Sequence, residues 1–297
     1  MHQRKPFTPI LIACVAAALF VHATCAAASP LQIMPLGDSI TAGHAASGNI
    51  PGGYREELYQ RLSDAHYSVQ LVGSSVDDPS AALTNAGQTH HEGHGSIRLD
   101  QINTNLDGNV ASYNDDTGGW NGGYWLTGTT GYAGAHPEVI LLLAGINDLA
   151  QGASATTAKT RLDTLIGHIY QIYQQQSRPA PAMIVANLTP LAGTPLSSWG
   201  TKENAFNALI PGVVTAHQNS GQPVYFLDMY SKLTAADLSS DGVHPNQSGY
   251  DKMGDAWFGA LQSNGLLVAP EPSTLTLLAC GLAGLLWYVR RKRRSIV

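Results

Sequence analysis

Apolar residues fall along this chain in two alternating rhythms. Short aliphatic runs occur at Leu31 to Leu36, Val69 to Val72, Val139 to Leu143, Met183 to Ala186 and Val224 to Leu227. Runs of that length, closed by glycine or polar residues, suit strands covered on both faces. Between them the apolar positions recur every three or four residues, as in Tyr54, Leu58, Leu62 and Ala65, then Leu99, Ile102 and Leu106. A longer stripe, Leu162, Leu165, Ile166, Ile169 and Tyr173, predicts a helix over about 156–176. Further helices are expected over 202–217, where Pro211 should kink or interrupt the coil, and over 250–261. Five strands alternating with helices predict a single α/β domain: three layers around a doubly wound, five-stranded parallel sheet. Residues 107–136 fit neither rhythm and are rich in Gly, Asn and Thr, with Trp120, Tyr124, Trp125 and Tyr132 among them. A loop of that length in a compact domain is usually functional or disordered.

The two ends follow different rules. Residues 1–28 read as a secretory leader, with Arg4 and Lys5 ahead of the apolar stretch Ile10 to Val21 and a small-residue site at Ala26-Ala27-Ala28. Cleavage by a signal peptidase is expected before Ser29. At the other end Pro270-Glu271-Pro272-Ser273 precedes the apolar run Leu275 to Val289 and the basic cluster Arg290 to Arg294. This arrangement resembles the PEP-CTERM sorting signal, which implies processing by an exosortase. The alternative is a retained transmembrane anchor with its basic end in the cytoplasm. Both readings export the body, to the periplasm, cell surface or medium. The expected organisation is a leader over 1–28, a body over 29–269 and a sorting tail over 270–297.

Removing the ends changes the charge. The whole chain carries 16 basic and 21 acidic residues, a formal −5, but the body keeps 9 basic against 20 acidic groups, a net −11. Such a surface repels phosphate backbones, so no nucleic-acid partner is expected. The three cysteines, Cys14, Cys25 and Cys280, all lie outside the body. A cysteine nucleophile, a thiolate metal site and a disulfide framework are therefore excluded from it.

If the strands are placed correctly, four polar clusters follow strand ends: Gly37-Asp38-Ser39, the segment His90 to Ser96, Gly145-Ile146-Asn147-Asp148 and Asp241-Gly242-Val243-His244. All four face one rim, where ligands bind in such sheets. Ser39 is a candidate nucleophile that needs a base. His244 suits that role, because imidazole titrates near working pH. Asp241, three residues earlier, can fix the imidazole tautomer and stabilise the cation formed during attack. The Asn147 amide and backbone N–H groups of Ser39 and of the turn at Gly95 can bind an oxyanion.

At these four blocks the sequence resembles the SGNH or GDSL hydrolase superfamily, over about residues 31–262. The resemblance implies a flavodoxin-like sheet with Ser39 as nucleophile, His244 as base and Asp241 as its partner. It further implies Ser39, Gly95 and Asn147 as the oxyanion hole, and no cofactor. Ile33 to Thr41, Gly52-Gly53-Tyr54-Arg55 and His91-Glu92-Gly93-His94 look most like carbohydrate esterase family three, the acetylxylan esterases. One departure stands out. The family reads Gly-His-x-Gly where this chain has Gly93-His94-Gly95-Ser96, so Ser96 occupies the register of the oxyanion glycine.

Other readings compete. His90, His91, Glu92 and His94 suggest a metal cluster, but His91 and His94 are three apart amid glycines rather than four apart on a helix, and no metal is expected. Trp120, Tyr124 and Trp125 are candidates for stacking on a pyranose, or else for pinning the long loop to the body. The expected activity is an exported serine esterase acting on acetylated carbohydrate. The alternatives are a lipolytic esterase or lysophospholipase on the same scaffold and a non-catalytic exopolysaccharide-binding surface protein.

Overall fold

The computed structural model describes residues 29–108 and 123–267, together with 281–282, 284–288 and 291. The leader 1–28, Trp120 and most of the sorting tail lie outside the described residues.

The first apolar run forms β1 (Leu31–Gly37), whose last five residues are all buried. Because successive side chains point to opposite faces, such a run requires cover on both sides. The chain turns sharply into a short helix, α1 (Ser39–Ala42), then a two-stranded hairpin of β2 (His44–Ala45) and β3 (Gly48–Asn49). There follow α2 (Tyr54–Asp64), β4 (Val69–Leu71), α3 (Ala81–Asn85), β5 (Glu92–Gly93) and α4 (Leu99–Thr104). The second half comprises β6 (Val139–Leu143), α5 (Ile146–Ala150), α6 (Ala155–Gln175), β7 (Ala182–Ala186), α7 (Gly193–Asn219), β8 (Val224–Leu227) and α8 (Gln247–Ser263).

The strand order is β4-β1-β6-β7-β8, and every pairing within it is parallel. Counted over the five predicted strands this is 2-1-3-4-5, the flavodoxin-like order, which reverses between β1 and β6. The alternation along each strand sorts the core into two layers. Met34, Leu36, Ile140, Leu142, Met183 and Val185 join the cluster under α6 and α7. Ile33, Val139, Leu141, Leu143, Ile184 and Ala186 join the one under α2 and α8. The three-layer expectation therefore holds.

Besides the short helices and the β2–β3 hairpin, one strand of the main sheet and one long helix differ from expectation. A sixth strand, β5, takes over pairing with β1 at Leu36 and Gly37 where β4 has ended. Two residues carry no periodicity that a sequence could reveal. The helix expected over 202–217 begins nine residues earlier and runs on through Pro211 without interruption. Its other proline, Pro195, sits in the first turn, where backbone N–H groups have no intrahelical acceptor to lose. Pro211 forgoes one internal bond, which burial of Phe206, Ile210, Val213 and Val214 on the core face offsets. Among the described residues no helix is long and apolar enough to cross a membrane. The apolar run 275–289 falls only in part within them.

Candidate active site

Gly37 ends β1 so close to β6 that a Cβ there would sit 2.1 Å from the Leu143 carbonyl oxygen, and only glycine fits. The next residue, Asp38, caps α1 by accepting from the Ile40 N–H at 3.0 Å. Ser39 is thereby fixed in the first turn of a helix at the point where the sheet order reverses. It remains 7% exposed.

His244 reaches this serine from 205 residues away, with Ser39 Oγ 2.8 Å from its Nε2. The other ring nitrogen, Nδ1, lies 2.7 Å from Asp241 Oδ2. A carboxylate only accepts, so Nδ1 carries the proton and Nε2 is free to accept from the serine hydroxyl. Asp241 is itself held by the Val243 and His244 backbone N–H groups, at 2.9 and 3.0 Å on Oδ1. Burial alone would raise its carboxyl, but the bonds from the His244 ring and those two amides outweigh it and hold it below 3.8. It is therefore ionised at working pH. Beyond the loop, Asn246 caps α8 by accepting from the Gly249 N–H.

The other two blocks meet on the near side of β6. Asn147 opens α5 and donates from Nδ2 to the Ile97 carbonyl at 3.0 Å. Asp148, fully buried, accepts from the Leu99 N–H and from Arg161 Nη1. The Gly95-Ser96 turn lies between β5 and α4, with Gly95 buried and Ser96 partly so. Ser96 has φ +60°, in the left-handed region that favours glycine.

The histidine-rich segment is bonded internally. His94 Nε2 donates to Glu92 Oε1 at 2.7 Å, both side chains being fully buried. Glu92 also accepts from the Ser74 N–H and Oγ, each at 2.7 Å. His91 accepts from the Gly93 N–H through Nδ1, and burial together with the nearby Arg55 cation pushes it well below the usual imidazole range. Among the described residues no cluster of three or more His, Cys, Asp or Glu is arranged to hold a metal.

Of the aromatic candidates, Trp125 corrects the stacking expectation. It is fully buried, lies parallel to the His94 ring at 4.6 Å, and its backbone bonds Asn105 and Ala135. A ring with no exposed face cannot receive a sugar, so Trp125 pins the loop. Tyr124 is half-buried, packed near Gly108, and Trp120 lies outside the described residues.

Three further residues support the site without having been assigned a role. The His44 ring lies 6.1 Å from the His244 ring, and its carbonyl accepts from Tyr250 Oη at 2.6 Å. Arg55, within the recognised Gly-Gly-Tyr-Arg stretch, is buried and donates to the Ala42 carbonyl at the end of the serine helix. Gln151 bonds the Ser96 carbonyl. The signals available were the proximity of His44 to Ser39 and the Gly-Gly-Tyr-Arg stretch around Arg55; Gln151 offered none.

Residues 33–257 match the GDSL-like Lipase/Acylhydrolase family. The chain belongs to that family of ester hydrolases. Residues 268–294 match the PEP-CTERM protein-sorting motif. Among curated relatives, the Multidomain esterase of Ruminococcus flavefaciens is 33% identical over 242 residues, covering 78% of this chain and 28% of its own length. The Putative endoglucanase X of Acetivibrio thermocellus is 31% identical over 127 residues, covering 41% and 49%. The matched regions thus span less than half the length of either relative. Among solved structures, the Clostridium thermocellum family 3 carbohydrate esterase is 29% identical with a TM-score of 0.60, covering 79% of this chain and 96% of that one. A carbohydrate esterase family 3 structure from Talaromyces cellulolyticus, 22% identical with a TM-score of 0.58, shares the fold over 78% and 97%.

Proposed function

We propose that this GDSL-family chain is an exported serine esterase that removes acetyl groups from a polysaccharide or oligosaccharide. The observation that carries the reading is the unbroken chain of bonds from Asp241 through His244 to Ser39. His244 takes the Ser39 proton as Oγ attacks the ester carbonyl. The oxyanion is received by the Ser39 N–H, a backbone N–H of the Gly95-Ser96 turn and the second N–H of the Asn147 amide, the first being engaged with Ile97. The imidazolium then protonates the leaving sugar oxygen, giving an acetyl-serine. Water attacks in its turn, His244 accepts its proton, and acetate departs with Ser39 restored. No cofactor enters these steps.

The carbohydrate substrate is supported by likeness to the family 3 carbohydrate esterase and by a body whose net negative charge disfavours anionic polymers. The sorting motif supports export to the cell envelope. On this reading a signal peptidase removes residues 1–28, an exosortase-type enzyme processes 270–297, and residues 29–269 form the hydrolase.

Acetate release from acetylated xylan, acetylated simple sugars and lipids tests the proposal. The expected result is turnover of carbohydrate acetates that falls about 10³-fold or more in Ser39→Ala. A preference for octanoyl or longer esters would replace it with a lipolytic activity. Polysaccharide binding without turnover would replace it with a binding protein.

A further inference from the structure

We infer that Gln151 is a positioning residue for the oxyanion hole: it holds Ser96 in the left-handed conformation that presents its backbone N–H to the substrate. This rests on the esterase reading and concerns a feature of this chain's own sequence. Where the related pattern has glycine, this chain has Ser96. Glycine enters the left-handed region without penalty, whereas a residue with a Cβ adopts it at a cost and is drawn back toward negative φ. The Ser96 φ of +60° therefore needs an external hold.

That hold comes from one turn of chain. Gln151 Nε2 donates to the Ser96 carbonyl at 3.0 Å. Its own Oε1 accepts from Arg98 Nη1 at 2.7 Å, and Arg98 is braced by Asp100 through Nε and Nη2. The neighbouring bonds run in parallel: Asn147 holds the Ile97 carbonyl and Asp148 the Leu99 N–H, at 3.0 and 2.9 Å. Three side chains from residues 147–151 thus grip three of the four residues from Ser96 to Leu99. The Asn147 amide and the Ser96 N–H are thereby set relative to each other as one unit. Asn147 and Asp148 belong to the recognised block, but Gln151 lies just past it. Gln151 is also exposed, so its loss opens no cavity.

Without the Gln151 bond, Ser96 relaxes and its N–H swings away from the oxyanion. Steady-state kinetics on an acetate ester, with Gln151→Ala, Ser96→Gly, the double variant and Ser39→Ala, test this. Gln151→Ala should lower kcat about 10-fold or more, part of the 10²- to 10³-fold that complete loss of one donor costs. KM should stay within about twofold and the thermal unfolding temperature should be unchanged. In the double variant kcat should lie within about threefold of that of Ser96→Gly alone, because glycine holds the turn without the Gln151 bond. Wild-type kcat in Gln151→Ala, or a loss that Ser96→Gly does not rescue, would overturn the inference. Ser39→Ala separates the two levels. If it is inactive while Gln151→Ala is unaffected, only this inference falls; if it retains turnover, the esterase reading falls with it.

Discussion

The loop carrying Asp241 and His244 and the segment carrying Glu92 and His94 each bind an imidazole to a carboxylate at 2.7 Å on the same rim. They differ in what surrounds them. The His244 and Asp241 side chains are 22% and 30% exposed, and the free ring nitrogen faces Ser39 Oγ. The His94 and Glu92 side chains are wholly buried, with the His94 ring flat against Trp125 and the carboxylate bonded by Ser74. A histidine becomes a candidate base when its second nitrogen meets a hydroxyl at a solvent-reachable crevice. Without that access the same pair is a brace, here for the turn that carries Gly95 and Ser96.

The sharpest way to break this comparison is to disable one pair at a time. Asp241→Asn should lower kcat on an acetate ester about 10³-fold or more, because an amide can no longer select the Nδ1–H tautomer. Its fold should survive, and urea denaturation checks that. Because its carboxyl is held below 3.8, the electrostatic support of Asp241 is complete above that value and fades as pH falls through the depressed one.

His94→Ala should do the reverse. It strips a buried carboxylate of its imidazole and opens space beside Trp125, a loss of about 3–5 kcal/mol in urea unfolding. An unchanged unfolding midpoint would show that the buried pair is no brace.

A third carboxyl sharpens the contrast because no cation among the described residues pairs with it. Burial raises Asp38 from 3.8 to about 7, with the Ile40 N–H opposing and the Asp148 charge reinforcing the shift. The native state then holds a proton that the unfolded chain releases, so Asp38 lowers stability as pH rises from about 4 to 7. At about 1.4 kcal/mol per pH unit, Asp38→Asn should remove a decline of about 2–3 kcal/mol between pH 5 and 7. The amide oxygen can still cap Ile40. Burial raises Glu203 to about 7 as well, so Glu203→Gln should remove a further decline of the same sign, while buried His91, held well below the usual imidazole range, contributes an opposing rise in both variants. Stability measured at both pH values in the two variants checks the assignment.

Much of this was legible in the sequence, for identifiable reasons. Five aliphatic runs became the five main strands because central parallel strands need apolar residues on both faces. Ser39, Asp241 and His244 come together because the segments that carry them follow strands ending on the same rim. What stayed hidden rests on contacts without a residue-type signature. Strand β5 is too short to show periodicity, and the first turn of α7 holds Gly193 and Pro195, residue types with low helix propensity. Trp125 has the composition of a sugar platform and the burial of a core residue, and only packing distinguishes the two. Gln151 bonds a backbone carbonyl, which no side-chain pattern announces.

The central claim is that His244 activates Ser39, and covalent labelling with a fluorophosphonate, read by intact-mass and peptide mass spectrometry, tests it most directly. The account predicts a single adduct on Ser39 that forms rapidly in the wild-type protein and about 10³-fold or more slowly in His244→Ala. Undiminished labelling of Ser39 in His244→Ala, or ester hydrolysis that continues while Ser39 stays unlabelled, would contradict it.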